Sequence, residues 1–438
     1  MKISVVGCGY LGAVHAAAMA ELGHDVIGID VDQAKIDALA AGKAPFFEPG
    51  LPEILTSASA SGRLAFSIDT SAAKDATVHF IAVGTPQKPG SHSADMTYVD
   101  AAVDALLPFL KPGDLVVGKS TVPVGTAARL AEKVRTAEPK ADLAWNPEFL
   151  REGFAVKDTI SPDRLVYGVS PDPEAGAAAK AVLDEVYAKA LSEDTPLVVT
   201  DYATAELVKI SANAFLATKI SFINAIAEIA DVTGANVTEL ADAIGYDARI
   251  GRRFLNAGIG FGGGCLPKDI RAFGARAEEL GRGESLAFLK EVDAINLRRR
   301  QYVVDLVVDM LGGQAFEKKV AVLGLAFKPD SDDIRDSPAL DIAVQLNGLG
   351  AVVSATDPHA ISNARAKHPQ LHYVEDAREA VKDAEIVLLL TEWNEYRELV
   401  PADLEGLVAG KKIVDGRNVL TSATWADAGW EYRAMGRP

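Results

Sequence analysis

Met1-Lys-Ile-Ser-Val-Val-Gly-Cys-Gly-Tyr-Leu-Gly12 opens the chain, and its reading decides the fold. The run up to Val6 reads as a short strand, and the glycines after it are spaced for a strand-to-helix turn. Gly7 permits the tight turn, Gly9 lets backbone approach a pyrophosphate, and Gly12 allows close helix–strand packing. The start of the following helix offers free N–H groups and a positive dipole end to an anion. The glycine pattern alone is weak evidence. Asp30 strengthens it by closing the strand-like run Val26–Asp30, where a carboxylate accepts from both ribose hydroxyls and repels a 2′-phosphate. The expected cofactor is therefore NAD rather than NADP, held by Gly7, Gly9, Tyr10, Leu11, Gly12 and Asp30, with Lys35 near the adenosine end. Cys8, inside the turn, is expected to be packed rather than reactive.

Outward from this stretch, short β-branched runs alternate with alanine-rich helical segments. Val26–Asp30, Thr77–Val83, Leu115–Lys119 and Asp142–Asn146 read as buried strands of a parallel sheet covered on both faces. After Leu197-Val-Val199 the character changes. Residues 201 to 233 contain no Pro or Gly and read as one long helix, and helical pattern returns over 285–311. Strand-like runs then resume at Lys319–Leu325, Val352–Asp357, Glu385–Leu390 and Lys412–Asp415. The expectation is an α/β chain of two Rossmann-like, doubly wound parallel-sheet domains joined by a long central helix. Its regions would be 1–200 for NAD, 201–312 as a helical connector that carries Cys265, and 313–438 as a second α/β half.

The chain has 438 residues, 49% of them hydrophobic, which is ample for packed interiors and suggests more than one domain. A net charge of −17 argues against nucleic acid or an anionic membrane as the main partner. Two cysteines cannot build a disulfide framework, and no leader or membrane span is read at the start. The expected setting is the reducing cytoplasm. The seven histidines are scattered with no metal-ligand spacing, so no metal is expected.

The chemistry concentrates in Ile259-Gly-Phe-Gly-Gly-Gly-Cys-Leu-Pro-Lys-Asp269. An unpaired cysteine is most often a buried small hydrophobe. Cys265, however, follows three glycines that leave little bulk between thiol and substrate, and a lysine and a carboxylate come three and four residues later. Nearby positive charge favours the nucleophilic thiolate. Lys209 and Asn213 lie four apart on an otherwise apolar helix and so share a face. Such a lysine can carry a proton, stand beside an oxyanion, or simply snorkel at the helix edge. Asn146-Pro-Glu-Phe-Leu-Arg-Glu152 and Lys119-Ser-Thr-Val-Pro123 both follow strand ends, where catalytic loops of α/β folds lie. They carry Glu148, Glu152 and Thr121; taken singly, each could be an ordinary cap or turn.

Together and in this order, with Phe327-Lys-Pro329 added, these motifs resemble the NAD-dependent nucleotide-sugar dehydrogenases of the UDP-glucose/GDP-mannose family, most closely the branch acting on UDP-glucose. The resemblance covers essentially the whole chain. It implies a four-electron oxidation of a primary alcohol to a carboxylate, with Cys265 holding the aldehyde as a thiohemiacetal and then a thioester. It further implies that Lys209 and Asn213 stabilise the oxyanion, that Asp269 and Thr121 hold water, and that Glu148 is the base for hydrolysis. NAD contacts from Thr85, Thr121, Glu152, Lys268 and Arg335 follow from the same resemblance. So do UDP-glucose contacts from Glu148, Phe149, Leu150, Glu152, Lys209, Asn213, Phe261, Gly262, Cys265, Phe327, Lys328 and Arg417. The resemblance also makes 313–438 the UDP-sugar-binding domain and 201–312 the dimerisation region, with Arg249 reaching the neighbouring subunit's sugar site in a homodimer built on the long helices.

Three other readings compete. Siblings oxidising GDP-mannose or UDP-N-acetylmannosamine need the same thiol, although Ser161-Pro-Asp-Arg-Leu-Val-Tyr-Gly168 and Pro267-Lys-Asp269 look more like the UDP-glucose branch. A single-hydride β-hydroxyacid dehydrogenase would need the lysine but neither the thiol nor a second nucleotide-binding half. A catalytically idle NAD-binding sensor would leave the thiol and carboxylates without a role.

Overall fold

A computed structural model of the chain describes residues 1–437. The chain divides into two compact units, residues 1–212 with 275–281, and residues 213–274 with 282 onward.

The first unit is built on an eight-stranded sheet. Its strands are β1 (Lys2–Val6), β2 (Asp25–Ile29), β3 (Leu64–Ser67), β4 (Val78–Ile81), β5 (Leu115–Gly118), β6 (Asp142–Trp145), β7 (Leu165–Val169) and β8 (Leu197–Asp201). They lie in the order β3-β2-β1-β4-β5-β6-β7-β8. The first six are parallel, with Val6 opposite both Ile29 and Ile81. Here the structure refines the all-parallel expectation: β7 meets β6 antiparallel at Trp145 and Gly168, and β8 follows β7 in parallel. Strands β4 and β5 are buried along their whole length because helices cover both faces, which is why they read as continuous apolar runs. The helix Tyr10–Glu21 buries every residue from Gly12 to Ala20. Small side chains allow that close approach: a Cβ on Gly12 would lie 1.7 Å from the Gly7 carbonyl oxygen.

The strand order reverses between β1 and β4, and ligands of open α/β sheets bind outside the strand ends at such a switch point. Gly7, Asp30, Thr85 and Lys119 all follow strands at this edge of the sheet. Thr85 donates to the Thr121 carbonyl at 2.8 Å and Ser120 to the Val83 carbonyl at 2.6 Å, so the loops after β4 and β5 are fastened together.

The second unit carries a six-stranded, wholly parallel sheet of β9 (Lys319–Leu323), β10 (Val352–Thr356), β11 (His372–Tyr373), β12 (Ile386–Leu389), β13 (Lys412–Asp415) and β14 (Glu431–Ala434). Its order, β11-β10-β9-β12-β13-β14, repeats that of β1 to β6. The turn after β9 repeats the turn after β1: Gly324 has φ +100° where Gly7 has +93°. A Cβ on either would collide with the second residue after the fourth strand, Thr391 at 2.4 Å and Val83 at 2.6 Å.

The long helix, Tyr202–Thr233, begins in the first unit and continues into the second. Length and composition alone would let it cross a membrane, but its polar residues are fixed within the fold. Glu206 accepts from the N–H groups of Gly125 and Ala127 at 2.7 and 2.6 Å, and Ser221 donates to the Val292 carbonyl at 2.7 Å. The same helix leaves Phe215, Phe222 and Ile229 exposed at a seven-residue spacing, one stripe on its surface.

Candidate active site

In the first unit, Gly9 and Asp30 test the fit to a dinucleotide. A Cβ on Gly9 would meet nothing within 4 Å, so the backbone there is open to a close-lying ligand. The Asp30 carboxylate accepts from the Cys8 N–H at 2.8 Å, the Asp32 N–H at 3.1 Å and the Lys35 ammonium at 2.8 Å. Burial would raise its pKa, but these donors outweigh burial and hold it below the usual carboxylate value. An ionised carboxylate with an uncommitted lone pair at the end of β2 suits a ribose diol. Cys8 is packed as expected: burial, and then the Asp30 charge, push its thiol up to about 12.

The loop after β6 is anchored from several directions. Asn146 donates to the Val166 carbonyl at 3.0 Å and accepts from Tyr187 at 2.6 Å and from Lys119 at 2.9 Å. Glu148 accepts from the Leu150 N–H. Burial pushes its carboxyl up, against the opposing pull of Lys209 and Lys119. Phe149 stacks under two cations, Arg164 at 3.9 Å and Lys209 at 5.6 Å from the ring centroid. Sequence reasoning missed Glu48, which is only 2% exposed. Its carboxylate accepts from the N–H groups of Gly153 and Ala155 at 2.6 and 2.7 Å and from the Tyr10 hydroxyl, tying the fingerprint helix to the end of the Glu148 loop.

In the second unit, Cys265 is an exposed thiol at the head of the helix Leu266–Glu279. The Asp269 N–H donates to the Cys265 carbonyl at 3.0 Å, so the dipole's positive end lies at the thiol-bearing residue. Asp269 is buried and accepts from Asn213 at 2.6 Å and Lys268 at 2.5 Å. The structure thus joins Asn213 and Lys268 on Asp269, a grouping that sequence reasoning did not give. Backbone crowds Gly262 before the thiol, and a side chain closes over Gly264. A Cβ on Gly262 would lie 2.4 Å from the Asp336 carbonyl oxygen, and one on Gly264 2.2 Å from the Arg335 guanidinium carbon. Arg335 forms a bidentate pair with Asp333, which also accepts from the Gly264 N–H at 3.2 Å.

Asn296, from the helix Phe288–Met310, was also missed. Fully buried, it accepts from the Phe261 N–H at 2.7 Å and donates to the Phe261 carbonyl at 2.9 Å. Arg417 donates to the carbonyls of Leu390, Gly260 and Phe327 at 2.8, 3.0 and 3.1 Å, bracing three loops at the edge of the second sheet. Lys328 lies over the Phe327 ring at 5.3 Å. Arg249 is exposed and paired with Asp247.

One other constellation is not a site. Ser4, His79 and Asp114 form a hydroxyl–imidazole–carboxylate chain at 2.8 and 3.3 Å, but all three are buried within the sheet and beyond reach of a substrate. Among the described residues, no group of three or more His, Cys, Asp or Glu side chains is placed to hold a metal ion.

Three family models match along the chain. Residues 1–191 match the NAD binding domain of the UDP-glucose/GDP-mannose dehydrogenase family, 203–298 its central domain and 321–422 its UDP binding domain. The UDP-glucose 6-dehydrogenase of Rhizobium meliloti (strain 1021) is 42% identical over 441 residues, covering all of both chains. TuaD, a UDP-glucose 6-dehydrogenase of Bacillus subtilis (strain 168), is 40% identical and is covered over 93% of its length. The chain belongs to the UDP-glucose/GDP-mannose dehydrogenase family.

Among solved structures, a UDP-glucose dehydrogenase from Pyrobaculum islandicum superposes with a TM-score of 0.89 at 40% identity, covering 100% of this chain and 98% of the other. A UDP-N-acetylmannosamine dehydrogenase from Staphylococcus aureus gives 0.81 at 29%, covering 100% and 99%. As a family member the protein is an NAD-dependent oxidoreductase, and NAD is the cofactor that the Gly7–Gly12 turn and Asp30 were expected to hold.

Proposed function

We propose that this chain is a UDP-glucose 6-dehydrogenase, oxidising UDP-glucose to UDP-glucuronate. The observation that carries the reading is the Cys265 thiol, exposed after a side-chain-free glycine run at a helix head. A single hydride transfer needs no such nucleophile. The relatives that are UDP-glucose 6-dehydrogenases at 42% and 40% identity support the choice of sugar nucleotide.

Bound NAD supplies the hydride acceptor, used twice per sugar. Gly7, Gly9, Tyr10, Leu11 and Gly12 hold its pyrophosphate side and Asp30 its ribose, with Lys35, Thr85, Thr121, Glu152, Lys268 and Arg335 as further contacts. Lys209 and Asn213 stabilise negative charge on the C6 oxygen as hydride leaves C6 and the hydroxyl proton is released. The Cys265 sulfur then bonds to the aldehyde carbon and its proton passes to oxygen, giving a thiohemiacetal. Loss of the second hydride from that carbon, with the hydroxyl proton, leaves a thioester. Asp269 and Thr121 orient a water, Glu148 takes its proton, and hydroxide addition breaks the C–S bond to leave carboxylate and thiol. The balance is one alcohol and one water to one carboxylate, two hydrides and three protons. The thiol keeps the aldehyde from escaping between the two oxidations.

Phe149, Leu150, Glu152, Phe261, Gly262, Phe327, Lys328 and Arg417 form the sugar-nucleotide contacts. The exposed stripe of Phe215, Phe222 and Ile229 supports a homodimer in which Arg249 serves the neighbouring sugar site. A thiol nucleophile suits a reducing, cytoplasmic setting.

Counting NADH per UDP-glucose consumed tests the proposal. Two NADH and a carboxylate product are expected, and Cys265→Ser is expected to abolish net oxidation while still binding UDP-glucose. One NADH per sugar, or unchanged output from the variant, refutes the thioester route. Turnover of GDP-mannose or UDP-N-acetylmannosamine in place of UDP-glucose refutes the substrate.

A further inference from the structure

Lys119 is 6% exposed, at the end of β5, and among the described residues no carboxylate is hydrogen-bonded to it. Its ammonium donates to two neutral groups, Asn146 Oδ1 at 2.9 Å and the Tyr187 hydroxyl at 3.2 Å. The Phe80 and Tyr187 rings lie 5.8 and 5.7 Å away. Tyr187 in turn donates to Asn146 at 2.6 Å, and the Asn146 N–H donates to the Gly118 carbonyl at 2.8 Å. The three side chains therefore form a closed knot at the ends of two adjacent strands, two residues before Glu148. A buried cation is expensive, and a methionine would fill the same space without that penalty. Fold stability does not explain this lysine.

The charges around it do. The charges that act on Lys119 are the Glu148 carboxylate, two residues beyond Asn146 in the loop after β6, and the Lys209 ammonium of the long helix. Glu148 in turn faces Lys209, Lys119 and Asp158. The remaining titratable neighbours carry no charge. Burial pushes His15, on the fingerprint helix, far below its usual range, and burial pushes the Tyr187 hydroxyl far above its own. Burial also lowers Lys119 to about 8, so it is still protonated at neutral pH. Glu148 is thus an anion that acts on Lys119, and Lys119 joins Lys209 as a cation that acts on Glu148.

We propose that Lys119 is a positioning residue for the thioester-hydrolysis base: it fixes the Asn146–Glu148 loop and sets a buried positive charge opposite Glu148. The inference rests on the role given to Glu148 above. It separates two duties that Lys209 cannot share, since Lys209 also stabilises the oxyanion during oxidation. Lys119 acts on hydrolysis alone.

Lys119→Gln and Lys119→Met test it; the first keeps hydrogen bonding to Asn146 and Tyr187, and the second removes it. Glu148 must be ionised to take a proton, and losing a facing cation raises the pH at which it ionises. The acid limb of kcat is therefore expected to move up by about one pH unit in both variants. The KM for UDP-glucose should stay within about twofold of wild type, while the thioester accumulates as a covalent adduct seen in the intact mass. Lys119→Arg, which keeps the charge, should restore the limb. An unmoved acid limb in a folded Lys119→Gln, or no gain in adduct, overturns the proposal. If wild type gives no NADH from UDP-glucose, the substrate reading fails instead. The limb is then compared on whichever nucleotide sugar is oxidised.

Discussion

Asn296→Ala isolates how the glycine run before Cys265 is held. The amide makes both hydrogen bonds of the Phe261 peptide groups, at 2.7 and 2.9 Å, from a fully buried position. Truncation leaves a buried N–H and a buried carbonyl without partners, at about 1–3 kcal/mol each. Taking about 3 kcal/mol in all, local opening of this segment becomes roughly two decades easier, at 1.36 kcal/mol per decade. The right probe is local, because a chain of two units has no single unfolding free energy. Amide hydrogen exchange followed on a peptide covering residues 258–265 should show protection falling about 100-fold, with distant strands such as β4 unchanged. A thiol displaced by an ångström should also lose on the order of 100-fold in turnover. Protection within about threefold of wild type would refute the reasoning, because it would mean that Asp333, Arg335 and the glycines hold the run without Asn296.

Asp30→Ala should weaken NAD and narrow its advantage over NADP, since the ribose acceptor and the charge opposing a 2′-phosphate are both lost; an unchanged ratio of the two dissociation constants places the ribose elsewhere. Phe222→Asp puts a charge in the middle of the exposed stripe and should convert a dimer into monomers by light scattering, with Arg249-dependent turnover lost. For the buried lysine, the sign follows from its lowered pKa. The unfolded chain holds that proton up to about 10.5 and the folded chain only to about 8, so Lys119 opposes folding fully below pH 8 and progressively less above it. The thermal midpoint of Lys119→Met should therefore exceed that of wild type at pH 7, and the gap should close as the pH rises toward 10. A constant gap across that range would show that Lys119 does not titrate there.

Much of this was legible in the sequence because regular burial leaves a regular pattern. β5 and β12 are buried on both faces and stood out as unbroken apolar runs, and the absence of Gly and Pro marked the long helix within one residue of its start. β3 and β14 were not found. They are four-residue edge strands, Leu-Ala-Phe-Ser and Glu-Tyr-Arg-Ala, and their exposed sides carry no periodicity. The antiparallel run of β7 was equally hidden, since direction depends on how the chain returns and not on side-chain pattern. In the site, Cys265 and the Lys209–Asn213 pair stood out because their chemistry is unusual where they occur, whereas Glu148 and Asp269 took their roles from the family resemblance. Glu48 and Asn296 were not, because a carboxylate before a Pro-Gly turn and an amide within a polar helix look like ordinary surface residues. What sets them apart is burial against backbone. Lys119 lay inside a quoted motif and was passed over in favour of Thr121, because nothing in the sequence shows that Asn146 and Tyr187 enclose the lysine.

The repeated sheet order has a consequence for where a dinucleotide can settle. Asp357 ends β10 as Asp30 ends β2, and a nucleotide meeting either half would find the same glycine turn beside the same acid. In the second half that acid is sealed. It takes hydrogen bonds from the N–H groups of Leu325, Ala326, His359 and Ala360 and from the Trp393 indole, all between 2.7 and 3.1 Å. A ribose would have to displace five donors, at about 1 kcal/mol each, from a residue that is only 2% exposed. At Asp30 it has only to share with two N–H groups and one partly exposed ammonium. Two copies of one architecture are thus kept from competing for the same ligand, and the lock is a single carboxylate turned inward.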